Sequence, residues 1–275
     1  MCEYKFGDYI LPTDHLSASS LGVFKRCERQ YKFRYVDGIT LPASYAQAAG
    51  SILHACLQNY FDSVLDGHRP TPDEAADLAA DACENYVDRH ETDMTAEEFS
   101  TLKPEVRSAL LDYIESVGKD VIPIATEDGF IIKMRCGVPI MGFIDLKLRH
   151  GDDIVIGDYK LTAKKWTGSD LVNSLQFNLY AHLTGIPHVQ VHNITRTAPK
   201  SKPRTMPPEE GVVDFGRVRI IEHRFSSTDW PFWEDLVESA AERITSGVFA
   251  PGDPSAWHCT PEYCGYWQMC RGKRA

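Results

Sequence analysis

The sequence predicts an α/β fold, with a central mixed sheet flanked by helices and a helical region on its N-terminal side. Three observations lead to this prediction. Apolar residues recur at helical spacing through roughly the first 120 residues. Extended segments separated by turn residues follow. A segment of helical period then precedes a strand-like run, VQVHNITR, which suggests a crossover onto the same sheet.

Four helices are expected before the sheet. The first has a serine-rich start and carries Cys27 partway along its length, and the second carries His54 beside an apolar stripe. Thr71 and Pro72 suit the start of the third helix, because Thr can cap a helix and Pro is tolerated in the first turn. The four helices are predicted over about residues 17–35, 49–65, 71–90 and 96–119.

The extended segments predict a three-stranded meander over about residues 126–135, 138–148 and 153–159. A helix follows over about residues 168–185, and Pro187 separates it from the strand VQVHNITR. The stretch from Thr197 to Gly211 is rich in Pro, Ser and charge and is expected to be an exposed loop. The last predicted elements are a strand near residues 217–225, a helix over 228–245 and a tail rich in Pro and Cys.

The composition and charge of the chain indicate the class of protein and the compartment in which to expect it. The chain has 275 residues, 43% hydrophobic and 25% charged, which is enough for one large soluble domain. A formal net charge of -10 argues against a protein that coats nucleic acid through bulk electrostatics, but it does not exclude a nuclease, whose bound metal is not counted. The sequence has neither a run of about 20 apolar residues nor a signal peptide at its start. We therefore expect an intracellular, cytoplasmic protein with no membrane partner.

The most informative motif places two aspartates and a lysine on neighbouring strands. GFID ends at Asp145, and thirteen positions later DYK runs from Asp158 to Lys160. Because alternate side chains of a strand share a face, Asp158 and Lys160 point the same way and converge with Asp145 at one end of the sheet. Carboxylate oxygens suit Mg²⁺ or Mn²⁺, and an ammonium group can orient the attacking water or neutralise charge on a phosphate. Taken alone, the trio also fits a surface salt bridge.

Other residues accompany this motif in a fixed order. His54 lies within GSILH, Gln176 and Tyr180 lie within QFNLY, and Glu127 heads the first strand, where it fits a turn surface as well as a site. The ordered pattern of GSILH, GFIDLKL, IGDYKLT and QFNLY resembles the RecB-like branch of the PD-(D/E)XK nucleases across most of the chain. The resemblance implies a restriction-endonuclease-like fold. One departure is that the second acid is Asp where many relatives have Glu.

The resemblance also implies a role for each motif residue. Lys160 would be the catalytic lysine, and Gln176 and Tyr180 would position the DNA or the site. The implied ligands of Mg²⁺ or Mn²⁺ are His54, Asp145, Asp158 and the carbonyl of Tyr159.

The cysteines form a second constellation. Cys259, Cys264 and Cys270 lie within the last seventeen residues. An intracellular chain is not expected to hold structural disulfides, whereas three close thiolates suit a soft metal. Spacing alone makes zinc the default, with His258 as a fourth ligand, and unligated cysteines are a further alternative. We interpret four more cysteines as ordinary buried or tolerated thiols, namely Cys2, Cys56, Cys83 and Cys136.

A subset of RecB-like nucleases is similar in this respect too. Its members, which include the exonucleases of CRISPR adaptation and AddB, carry one cysteine before the nuclease core and three after it, all binding [4Fe-4S]. The spacing between Cys259 and Cys264 is longer here than usual. Such a cluster would close a loop of roughly 230 residues and stabilise the fold as a staple. The implied ligands are Cys27, Cys259, Cys264 and Cys270.

These observations predict a metal-dependent DNA exonuclease, a phosphodiester hydrolase acting on single-stranded DNA or DNA ends in recombination, repair or replication. The alternative is a catalytically silent or partner-dependent DNA-binding subunit of a helicase or CRISPR adaptation complex. The sequence has no Walker-type Gly-x-x-x-x-Gly-Lys loop, so a helicase partner would be a separate protein. A recombination partner and a homo-oligomer stay open, and the compact architecture is compatible with phage or microbial origin.

The domain prediction is a single nuclease domain over residues 1–275. Its parts are a helical N-terminal region with the early cysteine (1–120), the nuclease core (121–250) and a cysteine-rich tail (251–275).

Overall fold

A computed structural model of the protein describes residues 11–89, 94–197 and 209–272. The strands are β1 (Ile122–Lys133), β2 (Pro139–His150), β3 (Asp153–Thr162), β4 (His188–Thr195), β5 (Val212–Asp214) and β6 (Val218–Arg224). They form one mixed sheet in the order β1-β2-β3-β4-β6-β5. β3 and β4 pair in parallel, whereas β2–β3, β4–β6 and β5–β6 are antiparallel. The predicted α/β class with a central mixed sheet is confirmed.

Helices precede and connect these strands. They are α1 (Ala18–Arg26), α2 (Glu28–Tyr31), α3 (Tyr45–Leu65), α4 (Pro72–Arg89), α5 (Ala96–Ser116), α6 (Gly168–Val172), α7 (Leu175–Thr184), α8 (Trp230–Thr245) and α9 (Trp267–Arg271). α6 and α7 make the crossover between the parallel strands β3 and β4, as the sequence predicts. Gly185 ends α7 with a left-handed φ of 70°, a conformation that glycine adopts without strain.

The first predicted helix is interrupted at Cys27. α1 ends at Arg26, and Cys27 has an extended backbone, with φ of -164° and ψ of 111°. α2 then continues into a π-helical turn over Lys32–Val36. Gly252 packs closely on this break, because a Cβ atom at that position would lie 3.2 Å from Cys27 Sγ. Cys27 therefore lies between two helices rather than within one.

Two further differences concern element boundaries. α3 begins four residues before its predicted start near Ala49, because Ser44 and Gln47 form a capping box at its N-terminus. The short strand β5 was not predicted. Most of the predicted loop from Thr197 to Gly211 lies outside the described residues, which omit 198–208.

The chain forms two compact units. The first unit comprises the described residues of Met1–Leu41, Gly129–Gly142 and Ser227–Ala275, and the second unit comprises those of Pro42–Asp128 and Phe143–Ser226. Among the described residues, no helix is both long enough and apolar enough to cross a membrane.

The core of the second unit lies between helices α3, α4 and α5 and one face of the sheet. The ring of Tyr159, on β3, is buried in it, stacked on Phe61 at a centroid distance of 6.5 Å and edge-on to Tyr113 at 5.8 Å. Such aromatic contacts add to the free energy of apolar burial. They fix the strand whose opposite face carries Asp158 and Lys160.

Helix α3 offers a test of this core. Replacing Leu57, which is fully buried, with alanine is expected to lower the free energy of unfolding by about 3 kcal/mol, because the cavity cannot fully collapse. Leu65 on the same helix is 43% exposed, and its replacement by alanine should change that free energy by less than about 0.5 kcal/mol. Urea unfolding followed by circular dichroism measures both variants. Equal effects of the two substitutions would contradict the packing described.

Candidate active site and cysteine cluster

Asp145 and Asp158 lie on one face of two adjacent antiparallel strands. Leu146 of β2 pairs with Gly157 of the antiparallel strand β3. Asp145, the residue before Leu146, therefore lies opposite Asp158, the residue after Gly157. Asp145 Oδ2 accepts a hydrogen bond from the backbone N–H of Tyr159 at 2.9 Å. The period of two along each strand brings the two carboxylates to the same place, as the sequence predicts.

His54 joins these carboxylates from helix α3. Its Nδ1 lies 3.3 Å from Asp145 Oδ2, and its Nε2 donates to the carbonyl oxygen of Tyr159 at 2.8 Å. Partial burial disfavours the protonated ring, but the Asp145 and Asp158 carboxylates outweigh burial and raise the pKa of His54. The same ion pair lowers the pKa of Asp145, against the opposing effect of its own burial. The predicted ligands His54 and Asp145 and the Tyr159 carbonyl are thus brought together.

Glu127 completes a group of three potential metal ligands. Ligand atoms of His54, Glu127 and Asp145 all lie within 4.8 Å of one another, and they form the one such group of His, Cys, Asp or Glu side chains within residues 11–89, 94–197 and 209–272. Glu127 has a φ of 44°, which is rare for a residue other than glycine. Burial and the nearby Asp145 raise the pKa of Glu127. The sequence left Glu127 undecided between a turn surface and a site.

Asp158 is held beside this group rather than within it. Its side chain is buried, and its Oδ1 accepts a hydrogen bond from Gln176 Nε2 at 2.8 Å. Lys160 Nζ forms an ion pair with Asp158 Oδ2 at 2.5 Å. Burial raises the pKa of Asp158 to about 6, against the lowering effect of Lys160.

Lys160 and helix α7 form the other side of the site. Lys160 Nζ donates to Gln176 Oε1 at 3.2 Å and lies 5.5 Å from the ring centroid of Phe177. Tyr180 follows Gln176 by four residues and therefore shares its helix face. Burial raises the pKa of Tyr180 to about 12, while hydrogen bonds with the Phe143 backbone and Gln176 oppose the rise. The predicted residues of α7 thus converge on the acid and lysine motif.

Two residues behind the site were missed by the sequence analysis. His192 of β4 is buried against the Tyr159 ring, and its Nδ1 is 2.7 Å from the hydroxyl of Tyr113. Burial lowers the pKa of His192 to about 4, so the ring is neutral at pH 7. A lone histidine in VQVHNITR and a tyrosine on α5 carry no sequence signal that would join them. Their contacts fix Tyr159, and through it the backbone that His54 binds.

The donor set fits a divalent cation. Carboxylate and carbonyl oxygens are ligands that Mg²⁺ and Mn²⁺ prefer. The low pKa of Asp145 means that at least one carboxylate is ionised at neutral pH. Lys160 supplies a positive charge next to these acids without being a member of the ligand group.

The first unit brings the four predicted cysteines together. Burial raises the pKa of the Cys264 thiol, and the neighbouring thiols of Cys27, Cys259 and Cys270 raise it further. All four are free thiols. Tight turns hold the tail around them, since the backbone N–H groups of Cys259, Cys264 and Cys270 donate to carbonyls three or four residues earlier.

Comparisons with protein families, curated proteins and solved structures show what the chain is similar to. The crystal structure of SSO0001 is similar over 90% of this chain and 95% of its own, at 12% sequence identity and a TM-score of 0.36. No match was found among curated proteins. The family model of the PD-(D/E)XK nuclease superfamily matches residues 15–271, a range that includes His54, the acid and lysine motif and helix α7. The chain therefore belongs to the PD-(D/E)XK nuclease superfamily.

Proposed function

We propose that this protein is a metal-dependent DNA exonuclease of the RecB-like branch, which hydrolyses phosphodiester bonds from the ends of single-stranded DNA. The observation that carries the proposal is the convergence of His54, Glu127 and Asp145 beside the ion pair of Asp158 and Lys160. Nuclease family membership gives the reaction class. We propose in addition that its substrate is single-stranded and that it acts in recombination, repair or replication.

Mg²⁺ or Mn²⁺ would be held by His54, Asp145 and Glu127, with Asp158 and the Tyr159 carbonyl as the further ligands that the family resemblance implies. When bound, such an ion polarises the scissile phosphate and lowers the pKa of a bound water. The imidazole lies on α3 and the carboxylates lie on β1, β2 and β3, and side chains on such regular elements are held in place more precisely than side chains on loops.

Lys160 supplies positive charge where the phosphate becomes more negative in the transition state. Its ammonium is held by Asp158, Gln176 and the Phe177 ring, so little reorganisation is needed when the substrate arrives. The same group is placed to orient a water toward the phosphorus. Gln176 links the lysine to the acid by bonding both side chains. Tyr180, next to Gln176, would position the strand or the helix that holds the site.

We also propose a [4Fe-4S] cluster on Cys27, Cys259, Cys264 and Cys270. The thiols of Cys27, Cys259 and Cys270 lie close enough to Cys264 to raise the pKa of its thiol. One cysteine before the nuclease core and three after it is the arrangement that the family resemblance associates with [4Fe-4S], and thiolates are the ligands of such clusters. Such a group would act as a structural staple, and we propose a reducing, cytoplasmic compartment, where cysteines do not usually pair as disulfides.

The test uses end-labelled linear and covalently closed single-stranded DNA, Mn²⁺ and anaerobically purified protein. We expect degradation of the linear strand alone, because the proposed activity needs an end. Chelation of the metal should abolish cleavage, since the carboxylates alone do not activate a water.

Two other results of this test would assign a different activity or role to the protein. Cleavage of the closed circle would make it an endonuclease. No cleavage by protein with a full complement of iron would favour the alternative, a subunit that needs a helicase, recombination or CRISPR adaptation partner or a particular homo-oligomer.

A further inference from the structure

The first unit contains a cavity of about 340 Å³ next to the cysteine cluster. We propose that it binds one nucleotide of a single DNA strand, with the phosphate on Arg29 and the base against Phe33 and Phe249. This inference rests on the proposed function, because it names a second contact of the same substrate. The residues that line the cavity are Arg29, Lys32, Phe33, Gly247, Phe249, Met269 and Cys270.

The charge of the cavity suits a single phosphodiester. Within the described part of the chain, the Arg29 guanidinium contacts no carboxylate, and its polar partner is Cys270 Sγ, 3.9 Å from NH1. The neighbouring Glu28 is already engaged by Arg243 at 2.7 Å and by the backbone N–H of Ala250. Lys32 is neutralised by Asp37 at 2.6 Å. Arg29 is therefore the cavity cation whose described contacts include no carboxylate, and a planar guanidinium that touches the Cys270 sulfur with one nitrogen can still bind a phosphate through two parallel hydrogen bonds.

The aromatic walls of the cavity suit a base. Phe33 stacks on Tyr266 at a centroid distance of 5.5 Å, and Phe249 stacks on Tyr31 at 6.1 Å. Each phenylalanine is thus held in place by a stacked tyrosine. Binding a ligand therefore costs little additional side-chain entropy. Stacking on aromatic rings is the sequence-tolerant way in which proteins bind bases of single strands.

The size of the cavity limits what it holds. A volume of about 340 Å³ is near the lower end of the range for small-molecule sites. It takes one nucleotide of a strand rather than a duplex. Because Arg29 also touches Cys270, the bound phosphate would sit directly beside a proposed cluster ligand.

The experiment measures binding of a labelled oligothymidylate of about 16 nucleotides by fluorescence anisotropy, with chelator present to prevent cleavage. Arg29→Gln is expected to weaken binding about tenfold and to reduce the salt slope of log K by about 0.7. Arg107→Gln is the matched control. It removes the same charge from an exposed arginine on α5 and should leave both quantities unchanged. Iron content and cluster absorbance are measured for each variant.

A second arm keeps the test independent of the Arg29 variant. With wild-type protein, an oligonucleotide of the same length that is abasic at every position should bind about tenfold more weakly than oligothymidylate, because no base can reach the two phenylalanine rings. Equal binding of the two oligonucleotides overturns the proposal. Thymidine monophosphate should compete for the cavity better than inorganic phosphate, because only the nucleotide carries a base. Equal competition overturns the assignment of the aromatic walls.

Failure of this inference differs from failure of the proposed function. If wild type degrades linear DNA while Arg29→Gln binds it as tightly as Arg107→Gln does, the cavity is not a nucleotide site and the nuclease assignment stands. If wild type neither binds nor cleaves DNA, both proposals fail. If the Arg29→Gln variant loses iron, the Phe249→Leu variant is tested in its place. It is also expected to bind the oligonucleotide about tenfold more weakly than wild type.

Discussion

Replacing Lys160 with alanine is expected to lower the rate of DNA cleavage by a factor of about 100 to 1,000. The Lys160 ammonium lies 2.5 Å from Asp158 Oδ2 and 3.2 Å from Gln176 Oε1, among carboxylates that would otherwise repel a phosphate. Without it, the charge that develops on the transferred phosphate loses one of its preorganised counterions. The loss should appear in kcat rather than in KM, because the interaction strengthens only in the transition state.

The measurement is the initial rate on end-labelled linear DNA with Mn²⁺. Lys165→Ala is the matched control, since this lysine pairs with Asp214 at 2.7 Å away from the acids and should keep the wild-type rate. Calorimetry should give Mn²⁺ binding no weaker in Lys160→Ala than in wild type, because the lysine is outside the ligand group. Equal cleavage by wild type and Lys160→Ala would place the catalytic centre elsewhere or point to a contaminating nuclease.

Replacing Cys264 with alanine is expected to remove the proposed iron-sulfur cluster and destabilise the first unit. Cys264 lies near all three partner thiols, so its loss opens the cluster. A cross-link between Cys27 and the C-terminal cysteines closes a loop of more than 200 residues. By loop-closure entropy, its loss costs about 5 kcal/mol of unfolding free energy.

Iron content, visible absorbance and limited proteolysis measure this effect under anaerobic conditions. Cys136→Ala is the matched control, because Cys136 is a buried thiol of the same unit but has no place in the cluster. It should retain iron and full-length protein under conditions in which Cys264→Ala is cut in the first unit. Retention of stoichiometric iron by Cys264→Ala would contradict the ligand assignment, and zinc in place of iron in the wild type would contradict the cluster.

The sequence predicted the parts of the site that depend on local rules. Asp145, Asp158 and Lys160 follow from the period of two along strands, and Gln176 with Tyr180 follows from the period of a helix. α4 was predicted closely, because Thr71 and Pro72 are position-specific start signals. The convergence of the two acids and the lysine needed only that β2 and β3 be neighbours.

What could not be predicted depends on contacts between distant parts of the chain. Glu127 lies near His54 and Asp145 and has a positive φ within β1, and no feature of the surrounding residues indicates either property. The pairing of Tyr113 with His192 joins residues 79 positions apart. The break at Cys27 has a similar origin, since cysteine and its neighbours are acceptable in a helix and the contact with Gly252 comes from the other end of the sequence.

The position of α7 between the parallel strands β3 and β4 has a consequence for the order of assembly. Two parallel strands cannot pair until the whole crossover between them is present. Such non-local pairing is slow compared with helix formation. Gln176, which holds both Lys160 and Asp158, lies on that crossover. A chain during synthesis or refolding would therefore have its histidine helix and acidic hairpin before its lysine is anchored. Hydrolytic competence would arrive late, which protects nearby nucleic acid from half-folded molecules.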